Sequence, residues 1–352
     1  MGEAAKGGLR GLDVAAVSRW LAEHVEGAQG ELRFELVAAG GSNLTYRVET
    51  PDGRRFALRR PPERARVATA HDMAREWKIL AALDGHPECG VPVPAAIAYC
   101  ADPSLIGAEF YVMAFAEGRI LRGPADAADM DAARCLRAAE SLIDVQVAMH
   151  TLDADAVGLG DLGRRDAYVE RQLSRWLRQY EAVKSRELPL VHSLHARLSK
   201  AIPAQQRVGL VHGDYRFDNT VLGADDRVAA VLDWELCTLG DPVADFVWSI
   251  LYWSDPDDAY DFGSPSPTRH SAFPRRAEAI GMYARKSGLD LSQIDYYRAF
   301  SWWKMACLVE GVVARLRAGA GGGLGASSDL TSVMKRVEWM LECAEDAAHA
   351  ID

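Results

Sequence analysis

Residues 210–222, LVHGDYRFDNTVL, hold a histidine, two aspartates, an arginine and an asparagine between two apolar pairs. Asp214 and Asn219 are five residues apart in this segment, and Asp233 ends the apolar run VAAVLD fourteen residues after Asn219. A surface turn would also account for so polar a segment. The other parts of the chain must therefore decide whether these side chains do chemistry.

The three side chains suit phosphoryl transfer. Mg²⁺ prefers oxygen ligands and takes one or two of them from a protein and others from phosphates. A separate carboxylate must orient the attacking hydroxyl and accept its proton. Asn219 and Asp233 suit the first role, and Asp214 suits the second. The segment 220–232, TVLGADDRVAAVL, is predicted to form two strands joined by a turn, which would bring Asp233 beside Asn219.

The elements that must position these residues change in character near residue 118. Before it, Asp13 can cap a first helix, apolar runs predict five antiparallel strands, and a helix is predicted over 71–83. After it, the periodicity predicts helices at about 131–151, 166–182, 191–202, 241–253, 275–287, 293–317 and 328–349. The fold class is therefore α+β. A small five-stranded antiparallel lobe, 1–116, precedes a larger, mainly helical lobe, 117–352.

The composition constrains the cellular location of the protein and the classes of partner that it can bind. The chain has 352 residues, a formal net charge of −10 and 49% hydrophobic residues, which is enough for a sizeable core. The negative charge argues against nucleic acid and anionic membranes as partners. The six cysteines form no CxxC pair or metal-ligand spacing, and no signal peptide or transmembrane span is recognisable. We therefore expect a cytoplasmic protein, while the oligomeric state stays open.

The segment HGDYRFDN, followed by LDWE, resembles the catalytic loop and metal-binding aspartate of the protein-kinase-like fold. It is most similar to the aminoglycoside phosphotransferase and choline kinase family, whose loop reads H-G-D-x-x-x-x-N. The next segment, GDPVADFVW, also resembles that family, and the resemblance extends from about residue 30 to residue 345. It implies a two-lobed protein-kinase-like fold. The first lobe would bind nucleotide, and the second would carry the catalytic loop, the metal site and the acceptor pocket.

The resemblance also implies a nucleotide site. RFALRRPP resembles the kinase V-A-I-K strand, so Ala57 would lie against adenine and Arg59 would reach phosphate, with Glu76 as its ion-pair partner. Kinases have lysine at that position, but arginine is also a permanent cation suited to phosphate. The turn AAGGSNLTY would cover the phosphates and YVMAFAEG would form the hinge beside adenine, although a plain hairpin and plain core packing are the alternatives. The residues assigned to these two segments are Gly41, Ser42 and Asn43, and Met113, Ala114 and Ala116.

Three further residues of the second lobe are also assigned roles. Arg216 stands where many protein kinases have a lysine that steadies the transferred phosphoryl group, and a surface arginine is the alternative. Asp245 is expected to accept N–H groups of the catalytic loop, and His212 is expected to anchor that loop. A literal D-F-G at 261–263 follows a helix and lies in a loop-like run, so Asp233 remains the expected metal ligand.

These features predict an ATP-dependent (or GTP-dependent) and Mg²⁺-dependent phosphotransferase acting on a hydroxyl of a small molecule. LRRPP, YVMxFxEGR and LDWELCTLGDPxAD resemble the phosphotransferase-like domains related to those fused to acyl-CoA dehydrogenases, which implies a hydroxyacyl-type metabolite. An aminoglycoside-type antibiotic kinase and a nucleotide-binding pseudokinase module are the alternatives. The set Asp214, Asn219 and Asp233 favours an active enzyme, and Arg59 is the one feature that favours a pseudokinase.

Overall fold

A computed structural model describes residues 9–39, 43–62, 72–258, 266–319 and 329–351. Its contacts divide the chain into two compact units. The first comprises Met1–Pro87, Pro92–Glu117 and the short segment Leu232–Glu235. The second comprises Glu88–Val91, Gly118–Val231 and Leu236–Asp352.

The first unit is built on a five-stranded antiparallel sheet in the order β1-β2-β3-β5-β4. The strands are β1 Arg33–Ala39, β2 Leu44–Glu49, β3 Arg55–Arg60, β4 Ala96–Cys100 and β5 Phe110–Ala114. Two helices complete the unit, α1 Val14–His24 and α2 Met73–Asp84. The predicted five-stranded sheet is confirmed, and so is the first cap, because Asp13 Oδ1 accepts the N–H of Ala16 at 2.9 Å.

Alternate residues of the strands point to opposite faces of this sheet, as strand geometry requires. One face packs Tyr46 and Leu58 against Val17 and Leu21 of α1. The other face includes Ala57 and Met113, which oppose each other across β3 and β5. That second face packs against the apolar side of α2. Because helices cover both faces, β3 is buried from Phe56 to Arg60 instead of alternating between core and solvent.

The second unit is mainly helical. Its helices are α3 Ala132–Thr151, α4 Tyr168–Val183, α5 Pro189–Lys200, α6 Pro242–Leu251, α7 Arg276–Ser287, α8 Ile294–Arg317 and α9 Leu330–His349. Helix α8 contacts α4, α5, α6 and α9 and buries residues around much of its circumference. A helix with so little polar surface belongs in the interior of a domain.

Short strands flank the polar segment around Asp214. They are β6 Gly209–Val211, β7 Thr220–Leu222, β8 Val228–Val231 and β9 Thr238–Gly240. Strands β7 and β8 pair antiparallel, which confirms the predicted strand-turn-strand after Asn219. Strand β9 was not predicted, and it pairs antiparallel with β6. Across the described ranges, no helix is both long enough and apolar enough to cross a bilayer.

Candidate active site

The predicted catalytic loop, His212–Asn219, begins in the second unit where β6 ends, at Val211. Gly213 has φ of +83°, a conformation that side chains rarely adopt, and a Cβ there would lie 2.9 Å from Cβ of Leu236. Glycine is therefore required at this turn by both backbone conformation and space. The loop then passes through a single 3₁₀ turn, Phe217–Asn219, before entering β7.

Asp245, on α6, holds the start of this loop. Its carboxylate accepts the N–H of His212 at 3.1 Å and that of Gly213 at 2.8 Å. His150 Nε2 lies 3.1 Å from the same carboxylate, and both side chains are buried. Burial alone would raise the pKa of Asp245, but the hydrogen bonds with His150 and with the loop hold it below its ordinary value. The expected role of Asp245 as an anchor of the loop is confirmed.

His212 also acts within the loop. Its Nδ1 accepts the N–H of Asp214 at 3.3 Å, which fixes the backbone two residues further along. Its ring is fully buried and lies edge-on to that of Tyr215. The expected anchoring role of His212 is therefore confirmed by its contacts.

Asp214 and Asn219 meet directly. The side-chain amide of Asn219 donates to the backbone carbonyl of Asp214 at 2.8 Å and to its carboxylate Oδ2 at 2.9 Å. Arg216 approaches the other carboxylate oxygen, with Nε 3.3 Å from Asp214 Oδ1, and also pairs with Asp218 at 3.1 Å. The guanidinium of Arg216 lies over the ring of Tyr252, 4.6 Å from its centroid. A carboxylate with a fixed orientation and partial exposure, beside a cation, can accept a proton from a nearby hydroxyl.

A second polar cluster lies within the first unit. Arg59 Nε is 3.0 Å from Glu76 Oε2, so the expected ion pair is present, and Glu76 is almost fully buried. Arg59 also donates through Nη2 to Asp233 Oδ1. Tyr111 donates its hydroxyl to Glu76 at 3.0 Å. This cluster joins β3, α2, β5 and the segment Leu232–Glu235.

The opposite charges of this cluster favour each other's ionised forms. Burial works against the charge on Arg59, but the acidic groups of Tyr111, Glu76 and Asp233 raise its pKa overall. Burial raises the pKa of Glu76, and the charge of Arg59 opposes that shift. Arg59 therefore stays a cation that two carboxylates share, one buried and one partly exposed.

Asp233 adopts an unusual backbone conformation. Its φ is +67°, in the left-handed region, where non-glycine residues are uncommon and aspartate is among the better tolerated. Such conformations persist only where the surroundings hold them, and they concentrate at functional sites. Here the carboxylate is held by Arg59 while 28% of the side chain stays exposed.

The structure gives Asn43 a different hydrogen-bond partner from the one expected. Its amide was expected to donate to phosphate, but in the structure it donates to Glu76 Oε1 at 2.9 Å and to Glu235 Oε2 at 3.4 Å. The side chain is 4% exposed, and within the described part of the chain its Oδ1 has no hydrogen-bond partner. Gly41 and Ser42, assigned to the same turn, lie outside the described residues.

The residues assigned to the adenine side lie on the α2-facing side of the sheet and at the end of β5. Ala57 and Met113 are buried opposite each other. Ala114 ends β5, and its N–H donates to the carbonyl of Ala95 at 2.9 Å, so only its carbonyl could serve a base. Ala116 lies two residues beyond the end of the strand. A role for any of them in binding adenine stays a prediction.

The oxygen atoms assigned to a metal can be tested against the chemistry of Mg²⁺. Among the described residues, neither Asn219 Oδ1 nor Asp233 Oδ2 accepts a hydrogen bond, because the observed bonds use Asn219 Nδ2 and Asp233 Oδ1. The described ranges contain no group of three His, Cys, Asp or Glu side chains placed to hold a metal ion. A Mg²⁺ ion that takes one or two protein oxygens and completes its shell with phosphates and water needs no such group. Asn219, in the second unit, and Asp233, in the first, each have one oxygen suited to such an ion.

A protein-family comparison matches residues 33–285 to the APH phosphotransferase enzyme family. The chain belongs to the phosphotransferase enzyme family. The matched region contains both clusters, from the strand before Asn43 to beyond Asp245. The predicted family and the enzyme class, a small-molecule kinase, are therefore confirmed.

Curated relatives of this phosphotransferase are larger proteins. Over 326 residues, 91% of the chain, it is 33% identical to acyl-CoA dehydrogenase family member 10 of Mus musculus. Over 318 residues, 86% of the chain, it is 32% identical to acyl-CoA dehydrogenase family member 11 of Homo sapiens. The chain spans only 30% and 39% of the length of these two relatives.

Solved structures agree on the fold of the phosphotransferase. A "putative aminoglycoside phosphotransferase" from Ralstonia eutropha JMP134 is 31% identical, with a TM-score of 0.79, 96% of this chain covered and 98% of that one. Choline kinase from Cryptosporidium parvum Iowa II is 12% identical, with a TM-score of 0.66 and coverage of 95% and 96%. Amicoumacin kinase, solved with AMP-PNP and Ca²⁺, is 16% identical, with a TM-score of 0.62 and coverage of 94% and 94%. The predicted protein-kinase-like fold is confirmed.

Sequence analysis missed several buried polar residues of the phosphotransferase. Arg60, the last residue of β3, is 3% exposed and donates to the carbonyls of Pro61 and Ile106. Lys304, on α8, is 9% exposed and lies over the ring of Trp248. The one sequence signal for Lys304 was its position inside the apolar run WWKMACL. The D-F-G at 261–263 lies outside the described residues.

Proposed function

We propose that this phosphotransferase moves the γ-phosphoryl group of ATP to a hydroxyl of a small molecule in a Mg²⁺-dependent reaction. The observation that carries the proposal is the pair formed by Asp214 and Asn219. One amide donates to both the carboxylate and the backbone carbonyl of Asp214, on a loop that Asp245 ties to α6. A surface turn has no need of such a buried anchor.

Asp214 would be the general base. One of its oxygens accepts from Asn219 and the other faces Arg216, so the carboxylate keeps one orientation. It would align the acceptor hydroxyl and take its proton as the oxygen attacks phosphorus. Arg216 would then lie beside the developing charge, where a cation stabilises the transferred phosphoryl group.

Asn219 and Asp233 would each contribute an oxygen ligand to Mg²⁺. Such an ion would supply positive charge that offsets the charge of the phosphates. Asn219 could do this without releasing Asp214, because its amide nitrogen holds that residue while its carbonyl oxygen would be the ligand. Asp233 would keep Oδ1 on Arg59 and offer Oδ2.

The first unit would bind the nucleotide. Arg59, held by Glu76, would reach phosphate oxygens, and Ala57 and Met113 would line the adenine side. Gly41, Ser42 and Asn43 would cover the phosphates, while the carbonyl of Ala114 and the backbone of Ala116 would pair with the base. The AMP-PNP and Ca²⁺ in the amicoumacin kinase structure support a nucleoside triphosphate with a divalent ion. GTP is the alternative donor.

The acceptor would be a hydroxyacyl-type metabolite. Support comes from the acyl-CoA dehydrogenase names of the relatives, of which this chain matches about a third. Two alternatives remain. An aminoglycoside-type antibiotic kinase is suggested by the name of the Ralstonia eutropha structure. A pseudokinase module is suggested by arginine at position 59 in place of lysine.

Asp214→Asn tests the proposal through two measurements on one purified protein. Nucleotide Kd, by calorimetry with Mg²⁺, should change little because Asn219 and Asp233 hold the metal. Acceptor-dependent release of ADP should fall by about 10²–10⁴, the usual contribution of a general base. Turnover at the wild-type rate would reduce Asp214 to a structural residue. Loss of nucleotide binding would instead assign Asp214 to the metal shell or to the fold.

A further inference from the structure

Arg216 is held both along the edge and on the face of its guanidinium. Its Nε lies 3.3 Å from Asp214 Oδ1 and its Nη1 lies 3.1 Å from Asp218 Oδ2, so two carboxylates meet the edge. The guanidinium carbon lies over the ring of Tyr252, 4.6 Å from the ring centroid. The N–H donors of an arginine all lie in the guanidinium plane, so contact with the face of a ring uses none of them. Tyr252 can therefore hold Arg216 without competing for its hydrogen bonds.

The position of the Tyr252 ring is set by α6. Tyr252 is the C-cap of this helix, with φ of −82° and ψ of −2°, and its N–H still donates to carbonyls of the last turn. Trp248, one turn earlier, is buried and meets the Tyr252 ring edge-on, with ring centroids 6.3 Å apart and planes at 75°. A ring that is fixed by a helix end and by a buried indole is a stable support for a cation.

Tyr252 and Asp245 lie on the same face of α6, because they are two helical turns apart. That separation spans roughly 10 Å along the helix axis. Asp245 accepts the N–H of Gly213 at 2.8 Å, near the start of the predicted catalytic loop, and Tyr252 meets Arg216 further along the same loop. One face of α6 therefore contacts the loop on both sides of Asp214 in the sequence.

A long arginine side chain needs such a support if it is to act in the transfer step. Arg216 is 28% exposed, and an ion pair at a partly exposed position holds a long side chain only weakly. An aromatic face attracts the cation through the ring quadrupole and restricts it from a direction that the carboxylates do not cover. A charge stabilises a transition state best when it is in place before the reaction begins.

We infer that Tyr252 is a positioning residue for phosphoryl transfer: its ring carries the guanidinium of Arg216 and keeps it beside Asp214. The inference rests on the proposed function, in which Arg216 stabilises the transferred group, and adds the residue that orients it. Tyr252 touches no reacting atom in this assignment. The ring supplies an aromatic face, so phenylalanine can replace tyrosine and an aliphatic side chain cannot.

The test is a double-mutant cycle between Tyr252 and Arg216, measured as hydrolysis of saturating MgATP with water as the acceptor. Tyr252→Leu should lower kcat about threefold to thirtyfold, the range of a cation–aromatic contact, with the Kd for MgATP unchanged. In the Arg216→Gln protein the same substitution should lower kcat no further, because the cation through which it acts is gone. A ring that only stabilised the fold would lower kcat by the same factor in both proteins.

Three further variants serve as checks. Tyr252→Phe keeps the aromatic face and should recover most of the activity that Tyr252→Leu loses. Tyr252→Met is a second non-aromatic variant and should behave as Tyr252→Leu does. The matched control is Trp176→Leu, which removes an indole that lies beside Arg175 and Lys304 on α4 and α8, and it should leave kcat unchanged. Circular dichroism and thermal unfolding verify that each variant folds.

A second measurement reports the contact itself and needs no turnover. In protein prepared with isotopically labelled arginine, the Nε–Hε resonance of Arg216 is assigned by its loss in Arg216→Gln. A proton near the face of an aromatic ring resonates upfield. The resonance should stay upfield in Tyr252→Phe and move downfield in Tyr252→Leu. This result decides whether the ring holds Arg216, at whatever rate water is phosphorylated.

Three results would overturn the inference. They are a wild-type kcat in the folded non-aromatic variants, an equal fall in kcat with and without Arg216, and an Arg216 resonance that does not move in Tyr252→Leu. Each of these leaves the proposed phosphotransfer standing. Full activity of Arg216→Gln would instead contradict the proposed role of Arg216, and the inference with it. A wild-type protein that does not bind MgATP would contradict the proposed function as a whole.

Discussion

Asp233 combines a left-handed backbone with a partly exposed carboxylate that Arg59 holds by one oxygen. Asp233→Asn would keep the shape and remove the negative charge that Mg²⁺ requires. We predict that this variant loses the Mg²⁺-dependent part of its stabilisation by nucleotide, measured by thermal unfolding with and without Mg²⁺. The fold should persist, because the side chain is not deeply buried.

Asp261→Asn is the matched control for Asp233→Asn, because Asp261 belongs to the literal D-F-G of the chain. It should leave the Mg²⁺-dependent stabilisation unchanged. If Asp261→Asn removed that stabilisation and Asp233→Asn did not, the assignment of the metal ligand would be wrong.

A second prediction for a single residue concerns Lys304 and the dependence of stability on pH. Its pKa is lowered from the ordinary value of 10.5 to about 8 in the folded protein. Between these values the unfolded chain binds more protons than the folded one, so the stability contributed by this group rises with pH. The rise should reach roughly 3 kcal/mol, since one pKa unit corresponds to about 1.4 kcal/mol.

The measurement is urea unfolding of the wild type and of Lys304→Met at pH 7 and at pH 10. The contributions of the other titrating groups, which both proteins share, cancel when the two free energies of unfolding are subtracted. The free energy of unfolding of the wild type should therefore increase relative to that of the variant as the pH rises. A difference that stays constant with pH would contradict a depressed pKa for Lys304.

At the scale of elements, α6 and the catalytic loop are joined through one carboxylate. Asp245 serves His212, Gly213 and His150 together, whereas an asparagine offers a single acceptor oxygen. We predict that Asp245→Asn lowers the free energy of unfolding by about 1–3 kcal/mol, the usual cost of a buried unsatisfied group. Because the loop carries Asp214, kcat should fall while nucleotide Kd changes little.

The comparison variant for Asp245→Asn is Asp295→Asn. Asp295 makes an ion pair with Arg298 at 2.8 Å, but its side chain is 38% exposed. An exposed pair contributes little, so the free energy of unfolding should change by less than about 1 kcal/mol. Equal effects of the two substitutions would mean that Asp245 does not hold the loop.

At the scale of the whole molecule, nucleotide binding should stabilise the folded protein. A ligand at a hundredfold excess over its Kd stabilises the folded state by about 2.7 kcal/mol. We predict a rise in Tm with ATP or GTP that increases further with Mg²⁺, measured by thermal shift. Comparison of the two nucleotides decides the donor. Absence of a shift with any purine nucleotide would contradict both the kinase and the pseudokinase.

Much of the architecture followed from local patterns. Apolar residues at helical spacing predicted α3 to α9 to within a few residues, and the cap of α1 was read from Asp13. The loop around Asp214 was predicted to be catalytic because phosphoryl transfer needs few residue types at fixed short spacing. Strand β9 was missed because three residues, TLG, are too few to show a period, and its pairing with β6 is a tertiary contact.

The sequence by itself determined which residue types are available and which elements carry them: Asp214 and Asn219 on one loop, and Arg59 on a strand. The tertiary structure decided which buried polar groups meet. Asn43 donates to Glu76 from 33 residues away, and Lys304 reaches Trp248 on a different helix. The physical reason is that periodicity records only which face of an element is buried. The partners of a buried polar group depend on how distant elements pack, which no local pattern contains.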